Sequence, residues 1–245
     1  MKKFLLLFIT SIGFVVLSNA QSVVNRRETT TRARKIDERS IVKDSAGRVL
    51  PYSEWQKMLS SANYVLKTEN PQDTNSTFKL VRLTTEQREG MLSRMTPPNE
   101  SGFFTNGQKI ETFKAWDIDN NKFDLKALEG KVVVLNFWFI NCPPCRKEIP
   151  ELNELVAKYA SNPDVVFIAI ALDDKADIKK FIKTSPYNYH LVPIGSKYAD
   201  RYGVNLFPTN VVLDKTGAVK FNSSGLTMNT PYWIKKTIEE SLAAN

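Results

Sequence analysis

The sequence of 245 residues predicts an α/β fold over residues 103–245, preceded by a small α+β module over residues 41–102. Two long, predominantly apolar runs, residues 132–140 and 165–172, are typical of strands buried on both faces of a sheet. An amphipathic helical pattern follows each run, and a hairpin and a last helix end the chain. Strands that alternate with helices in this order are typical of an α/β sheet.

The first twenty residues have the pattern of a secretory signal peptide. Two lysines precede an apolar run over residues 4–17, and small residues indicate a cleavage site after Ala20. The run is shorter than the roughly 20 residues that span a bilayer, and an uncleaved anchor, the only membrane attachment predicted, is the alternative. Both interpretations predict a periplasmic or otherwise extracytoplasmic protein. Residues 21–40 are polar and are predicted to form a flexible lead.

The module over residues 41–102 combines short strands with two helices and contains no chemical motif. Turn-rich segments separate its strands, and the stretch at residues 96–102, with two prolines, is predicted to be a linker. The predicted elements are strands at residues 41–42, 64–66 and 78–83 and helices at residues 52–62 and 85–95.

The elements of residues 103–245 follow one another through short turns. Strand candidates at residues 114–118 and 122–125 flank an Asp-Asn-Asn turn signal. Thr230 and Pro231 are predicted to be the N-cap and the first residue of the last helix. The other predicted elements are a helical turn at residues 125–128, strands at 132–140, 165–172, 211–214 and 218–221, and helices from residue 143, around 178–182, at 198–202 and from 230 to 242.

The two cysteines of the chain, Cys142 and Cys145, stand between a predicted buried strand and the start of a predicted helix. Cys142 is expected at the cap position and Pro143 at the first helical position, where free backbone N–H groups and the helix dipole favour a thiolate. Cys145 lies one turn into the helix and can attack a mixed disulfide formed at Cys142. Pro143 and Pro144 stiffen the loop. The pattern predicts a redox-active pair, with Cys142 as the attacking sulfur and no further cofactor.

A zinc site and an inert local disulfide are the alternatives for this pair. A structural zinc site needs about four ligands, usually Cys or His. The chain has no third cysteine and a single histidine, His190, so no metal site is predicted. A bond across so short a loop removes little entropy from the unfolded chain, which argues against a purely structural role. The net charge of +8 is spread along the sequence, and no nucleic-acid partner is predicted.

The sequence around the cysteines resembles the TlpA/ResA branch of the thioredoxin family. The matching segments are residues 133–138, Val-Val-Leu-Asn-Phe-Trp, and residues 142–150, Cys-Pro-Pro-Cys-Arg-Lys-Glu-Ile-Pro. The resemblance extends over residues 104–245. It implies a thioredoxin-like fold, in which helices flank a central mixed sheet, and the activity of a thiol–disulfide oxidoreductase.

Several further positions take an expected role from this resemblance. The segment Phe207-Pro208-Thr209 resembles the family's cis-proline segment, in which Pro208 would face the disulfide and help to hold the substrate backbone. Trp138 matches a family aromatic residue and is expected to pack in the core beside the site. Asn141 stands where most relatives carry Trp, so the rim of the site is expected to be less apolar.

An acidic residue is expected to assist the cysteines. Thioredoxins proper carry a buried Asp in the preceding strand, where this chain has Asn136. Glu148 follows Cys145 by three residues and shares its helix face. In the ResA-like branch an acid at this position tunes the cysteine pair, so Glu148 is expected to take or relay the proton when Cys145 becomes the nucleophile. A solvated first-turn carboxylate is the alternative.

The resemblance implies a reductant of disulfides in exported client proteins, with electrons from a membrane thiol reductase. One client class of the family is apocytochrome c, which implies a role in cytochrome c maturation. Sequence does not set the direction of electron flow, so an oxidase or isomerase is an alternative. A thiol peroxidase is a second alternative. Peroxidatic cysteines usually stand in a Thr-x-x-Cys context, and this chain has Phe139 at the position of that Thr, which argues against it. A partner-binding module over residues 41–102, with secondary redox activity, is the third.

Overall fold

The computed structural model describes residues 36–73 and 76–244. The predicted signal peptide, residues 1–20, lies outside the described residues, as does the predicted lead up to residue 35. Within the described ranges, no helix is both long enough and apolar enough to cross a bilayer.

The N-terminal part of the described chain is a four-stranded sheet with two helices. Its strands, in sheet order, are β2 (Val49–Leu50), β1 (Val42–Lys43), β4 (Phe78–Arg82) and β3 (Tyr64–Thr68). Helix α1 (Tyr52–Ser60) buries Trp55 in the small core of this sheet. Helix α2 (Thr85–Leu92) begins at a capping box, in which Thr84 and Gln87 each accept a backbone N–H of the other. The predicted α+β character of this segment is confirmed.

A five-stranded mixed sheet forms the centre of the rest of the chain. Its strands, in sheet order, are β11 (Val219–Ser224), β10 (Thr209–Leu213), β7 (Val132–Trp138), β8 (Val165–Ala171) and β9 (His190–Val192), and a separate hairpin joins β5 (Lys114–Trp116) to β6 (Lys122–Asp124). Strands β7, β8 and β9 are parallel, whereas β10 runs antiparallel to β7 and to β11. The carboxyl end of β7 and the amino end of β10 therefore meet at one edge of the sheet.

Side chains of β7 alternate between two cores on opposite faces of this sheet. Val134 and Trp138 belong to the core that includes helices α3 (Pro143–Tyr159), α4 (Lys175–Phe181) and α6 (Thr230–Ala243). Val133, Leu135 and Phe137 belong to the other core, which includes α5 (Ser196–Tyr202) and the 3₁₀ turn Leu125–Leu128. All seven residues of β7 are buried, which explains why six of them are apolar; the seventh is the polar Asn136.

Several details differ from the sequence prediction. Strand β2, of only two residues, was not predicted, and β7 ends at Trp138 and not at residue 140. Strand β9 was not predicted, because it has only three residues and begins with the polar His190. It forms by hydrogen bonding to the edge of β8 that β7 does not occupy. The N-cap of α6 is Asn229, so Thr230 and Pro231 occupy the first two helical positions and the predicted cap is wrong by one residue.

Helix α2 contacts α3 and α6 through charged side chains. Arg88 donates to Glu151 on α3 over 2.6 Å, and Glu89 lies 2.8 Å from the ammonium group of Lys235 on α6. The described chain from Glu38 onward forms one compact unit. The domain boundary at residue 102 stays a prediction.

Candidate active site

Cys142 and Cys145 are joined by a disulfide, with an S–S distance of 2.02 Å and a Cα–Cα distance of 5.3 Å. Cys142 is the N-cap of α3 and has an extended backbone, and Pro143 is the first helical residue, as the sequence predicts. The backbone N–H of Cys145 points at Cys142 Sγ over 3.2 Å. An N–H directed at this sulfur, together with the helix dipole, favours a thiolate at Cys142 once the disulfide opens.

Both cysteines are only 2% exposed, whereas the residues beside them reach solvent. Asn141 and Pro143 are exposed and Pro144 is half-buried. The closed disulfide thus lies just beneath a polar rim. Exposure does not distinguish the two sulfurs, so the assignment of Cys142 as the attacking sulfur rests on its helix-cap position.

The segment at residues 207–209 lies at the same sheet edge as the disulfide. The Phe207–Pro208 peptide bond is cis, as the resemblance implies. Thr209 pairs with Phe137 near the end of β7, which places Phe207 beside the loop that leads to Cys142. The rings of Phe207 and Phe139 meet edge to face at 5.4 Å between centroids. Pro208 and Thr209 are buried, and the Thr209 hydroxyl donates to the carbonyl of Leu206 over 2.7 Å.

Trp138 is fully buried at the end of β7, as predicted for a core residue beside the site. Its ring packs edge to face against Tyr187 at 5.1 Å and tilted against Phe181 of α4 at 5.6 Å. Trp138 therefore fixes α4 and the segment before β9 against the strand that carries the cysteines.

Glu148 is buried, with 3% of its surface exposed, and the alternative of a solvated carboxylate is wrong. The side-chain amide of Asn210 on β10 donates to both of its carboxylate oxygens, over 3.2 and 3.0 Å. Burial raises the pKa of Glu148 from its ordinary value near 4.5 to about 7. The Asn210 hydrogen bonds oppose this rise, and the charge of Glu151 adds to it. A carboxyl group with a pKa near neutrality can both hold and release a proton.

A directional hydrogen-bond chain ends at Glu148. Tyr187 Oη donates to Asn136 Oδ1 over 2.9 Å, and Asn136 Nδ2 donates to Asn210 Oδ1 over 2.9 Å. Each link points its donor toward the next residue, so the chain favours the ionised form of the carboxylate at its end. Asn136 and Asn210 are cross-strand partners in the register of β7 and β10.

Sequence reasoning missed two members of this chain, Asn210 and Tyr187. A signal for Asn210 was present, because it is a polar residue inside a predicted buried strand, directly after Thr209. Tyr187 lies in the segment before β9 and carries no local signal. The structure thus brings four of the predicted features together: the cysteine pair, the cis-proline segment, Trp138 and Glu148.

Comparison with known proteins places this site in a family. Residues 106–222 match the family model described as AhpC/TSA family. The thiol-disulfide oxidoreductase ResA of Bacillus cereus is 36% identical over 126 residues, which span 48% of this chain and 72% of that protein. ResA of Bacillus anthracis is 38% identical over 128 residues, with the same shares of the two chains.

A solved structure also matches the fold. The thiol:disulfide interchange protein DsbE from Chlorobium tepidum superimposes with a TM-score of 0.52 and 26% sequence identity, over 57% of this chain and 99% of that one. The expected thioredoxin-like fold is therefore confirmed, together with the enzyme class that the cysteine pair indicates. The chain belongs to the ResA/DsbE-type thiol–disulfide oxidoreductases of the thioredoxin-like AhpC/TSA family.

Proposed function

We propose that this oxidoreductase reduces disulfides in exported proteins through Cys142 and Cys145. The observation that carries the proposal is the placement of the Cys142–Cys145 disulfide at the N-terminus of α3, at the sheet edge that also holds Pro208. A thiolate at this helix end is stabilised, and a stabilised thiolate is both a nucleophile and a good leaving group.

The reaction proceeds in two exchanges. The Cys142 thiolate attacks one sulfur of the client disulfide and forms a mixed disulfide, while the other client sulfur leaves as a thiolate and takes up a proton. Cys145 then loses its proton and attacks Cys142 Sγ, which closes the Cys142–Cys145 bond and releases the second client thiolate. The client gains two electrons and the enzyme loses two. A membrane thiol reductase returns them by the reverse exchange.

Glu148 is proposed to accept the proton of Cys145 in the second exchange. It lies three residues after Cys145 on the same helix, and both side chains are buried. A carboxylate with a pKa of about 7 is partly ionised at neutral pH and can take up that proton. Phe207, Pro208 and Thr209 are proposed to contact the client backbone, next to Leu206, whose side chain is 52% exposed.

Trapping of the mixed disulfide tests this proposal. Cys145→Ser removes the resolving sulfur and is expected to accumulate covalent complexes with client proteins, which mass spectrometry identifies. Cys142→Ser is the matched control and is expected to trap nothing. If Cys142→Ser traps clients and Cys145→Ser does not, the two roles are reversed. A purified protein that exchanges with no disulfide substrate would refute the function.

The direction of electron flow and the clients belong to the same proposal. An apocytochrome c among the trapped clients would support a role in cytochrome c maturation. Accumulation of oxidised clients would instead identify an oxidase, and a high rate with hydrogen peroxide as the only oxidant would identify a thiol peroxidase. The exchange needs no cofactor besides the cysteine pair, so the protein is expected to keep its activity after treatment with a chelator.

An extracytoplasmic site of action completes the proposal. It rests on the signal-peptide pattern of residues 1–20. Sequencing of the mature N-terminus is expected to start at Gln21, in a periplasmic or secreted fraction. A start at Met1 in the membrane fraction would identify the uncleaved anchor.

A further inference from the structure

A groove on the α4 side of α3 opens beside the disulfide. It has a volume of about 580 Å³ and is lined, among others, by Pro143, Arg146, Lys147, Pro150, Phe181 and Pro186. We call it the α3 groove. Its volume is in the range of about 300–1,000 Å³ that is usual for ligand sites. Its walls combine apolar rings with two cations and contain no acidic side chain.

The two cations of the α3 groove have no anionic partner among the described residues. Arg146 and Lys147 are both exposed, and neither has a carboxylate within ion-pair distance in the described part of the chain. The guanidinium of Arg146 lies 5.7 Å from the centroid of the Phe181 ring. This contact places the cation near the Phe181 ring, which also lines the groove, and does not neutralise its charge.

The carboxylates of α3 are directed away from the α3 groove. Glu148 is buried against Asn210. Glu151 pairs with Arg88 of α2 over 2.6 Å, on another face of the helix. Glu154 lies with Glu151 in a separate surface depression between α2, α3 and α6. The helix therefore leaves a positively charged face toward α4, where no carboxylate of residues 36–73 or 76–244 pairs with Arg146 or Lys147.

The α3 groove lies next to the cysteine that is proposed to attack the client. Its first wall residue, Pro143, follows Cys142 directly in the chain. A client that is covalently joined to Cys142 must place the residues flanking its own cysteine close to this wall. The volume of the groove, its prolines and Phe181 suit an extended segment with apolar side chains, and its cations suit carboxylates.

We propose that the α3 groove binds an acidic segment of the client, adjacent to the disulfide that is reduced. The inference rests on the proposed function and adds the class of client: polypeptides with Asp or Glu beside the reactive cysteine. Exposed ion pairs are individually weak. With two cations, the preference for an acidic over a basic flank is expected to be on the order of three- to tenfold in apparent affinity at low salt, and to shrink as salt screens the charges.

The test compares two synthetic peptides of equal length with the full-length reduced protein. Both contain one cysteine oxidised to a mixed disulfide with 2-mercaptoethanol; the flanking residues are glutamates in one and lysines in the other. Tryptophan fluorescence follows single-turnover oxidation of the enzyme, and the dependence on peptide concentration gives apparent affinity and maximal rate separately. Oxidised 2-mercaptoethanol, a small uncharged disulfide, reports the reactivity of Cys142 by itself.

The decisive variant is the charge reversal Arg146→Glu with Lys147→Glu. It is expected to lose or invert the preference for the acidic peptide. Dividing the rate on each peptide by the rate on the small disulfide removes any change in the reactivity of Cys142 from this comparison. The matched control is Lys57→Glu with Lys67→Glu, which makes the same change in net charge at exposed positions of α1 and β3 and is expected to keep the preference. If the reversal variant does not fold, Arg146→Gln with Lys147→Gln is expected to abolish the preference.

The outcomes separate this inference from the proposed function. If the wild-type protein has equal affinity for the two peptides, the proposal that the α3 groove binds an acidic segment is refuted. The proposed function still stands in that case, provided that both peptides exchange with the enzyme. A preference that the reversal variant or the glutamine variant retains overturns the groove proposal too. Failure of the wild-type protein to exchange with the small disulfide overturns the proposed function, and the groove proposal with it.

Discussion

Replacement of Glu148 by glutamine is expected to stabilise the oxidised protein above neutral pH and to have little effect in acid. The carboxyl group is buried, and its pKa lies at about 7 in the fold against an ordinary value near 4.5. A tenfold change in an acid dissociation constant corresponds to about 1.4 kcal/mol, so keeping the carboxylate ionised in the fold costs about 3 kcal/mol. Glutamine carries no charge and avoids that cost.

The direction in which stability changes with pH follows from proton binding to Glu148. Below pH 4.5 both the folded and the unfolded chain carry the Glu148 proton, and the cost is absent. Between pH 4.5 and about 7 only the folded chain keeps the proton, so wild-type stability falls relative to the variant as pH rises. Above that range the difference is complete. Protonated Glu148 and glutamine each offer Asn210 one carbonyl acceptor, and the pKa of about 7 already includes the hydrogen bonds to the ionised form, so the expected net gain above neutral pH stays about 3 kcal/mol.

Urea denaturation of the oxidised proteins measures this difference at pH values of about 4, 6 and 8. Glu154→Gln, at an exposed position of the same helix, is the control for net charge. The free energy of unfolding of Glu148→Gln is expected to exceed that of the wild type only at the two higher pH values. A difference that does not depend on pH, or a variant that is less stable at pH 8, would refute the account of Glu148 as a destabilising buried carboxylate.

Three further predictions concern the surroundings of this carboxylate. Asn210→Leu removes the donors that favour ionised Glu148, so the pKa of Glu148 is expected to rise further, by about one unit, in carbon-13 NMR titrations of glutamate-labelled protein; an unchanged titration would contradict the hydrogen-bond assignment. Arg88→Ala leaves the partly buried Glu151 without its cation and is expected to lower the free energy of unfolding by about 1–2 kcal/mol. A double-mutant cycle of Arg88→Ala and Glu151→Ala is expected to give a coupling free energy of about 1 kcal/mol. A coupling free energy of zero would show that this ion pair does not stabilise the contact between α2 and α3. Leu152→Ala, at a fully buried position of α3, is expected to cost about 3 kcal/mol in urea denaturation, and a loss below about 1 kcal/mol would contradict the packing described for this core.

The elements that sequence predicted correctly are those whose own residues carry a strong pattern. Strands β7 and β8 are long and apolar, with Asn136 as the single polar residue of β7, and α3 repeats its apolar residues with helical spacing. Strand β9 lacks such a pattern, because three residues are too few to establish a period. Its backbone becomes a strand only because the edge of β8 offers hydrogen-bond partners from residue 168 onward.

The sequence by itself determined the chemistry of the site: a cysteine pair two residues apart at the start of a helix, and an acid on the same helix face. Only the tertiary structure decided how that acid is held. The antiparallel register of β10 on β7 sets Asn210 beside Asn136, and the packing of the segment before β9 brings Tyr187 to the same place. Burial raises the pKa of Glu148 to about 7, and the hydrogen bonds from Asn210 limit that rise. A titration of this kind depends on distances between residues far apart in the chain, and local sequence patterns do not contain those distances.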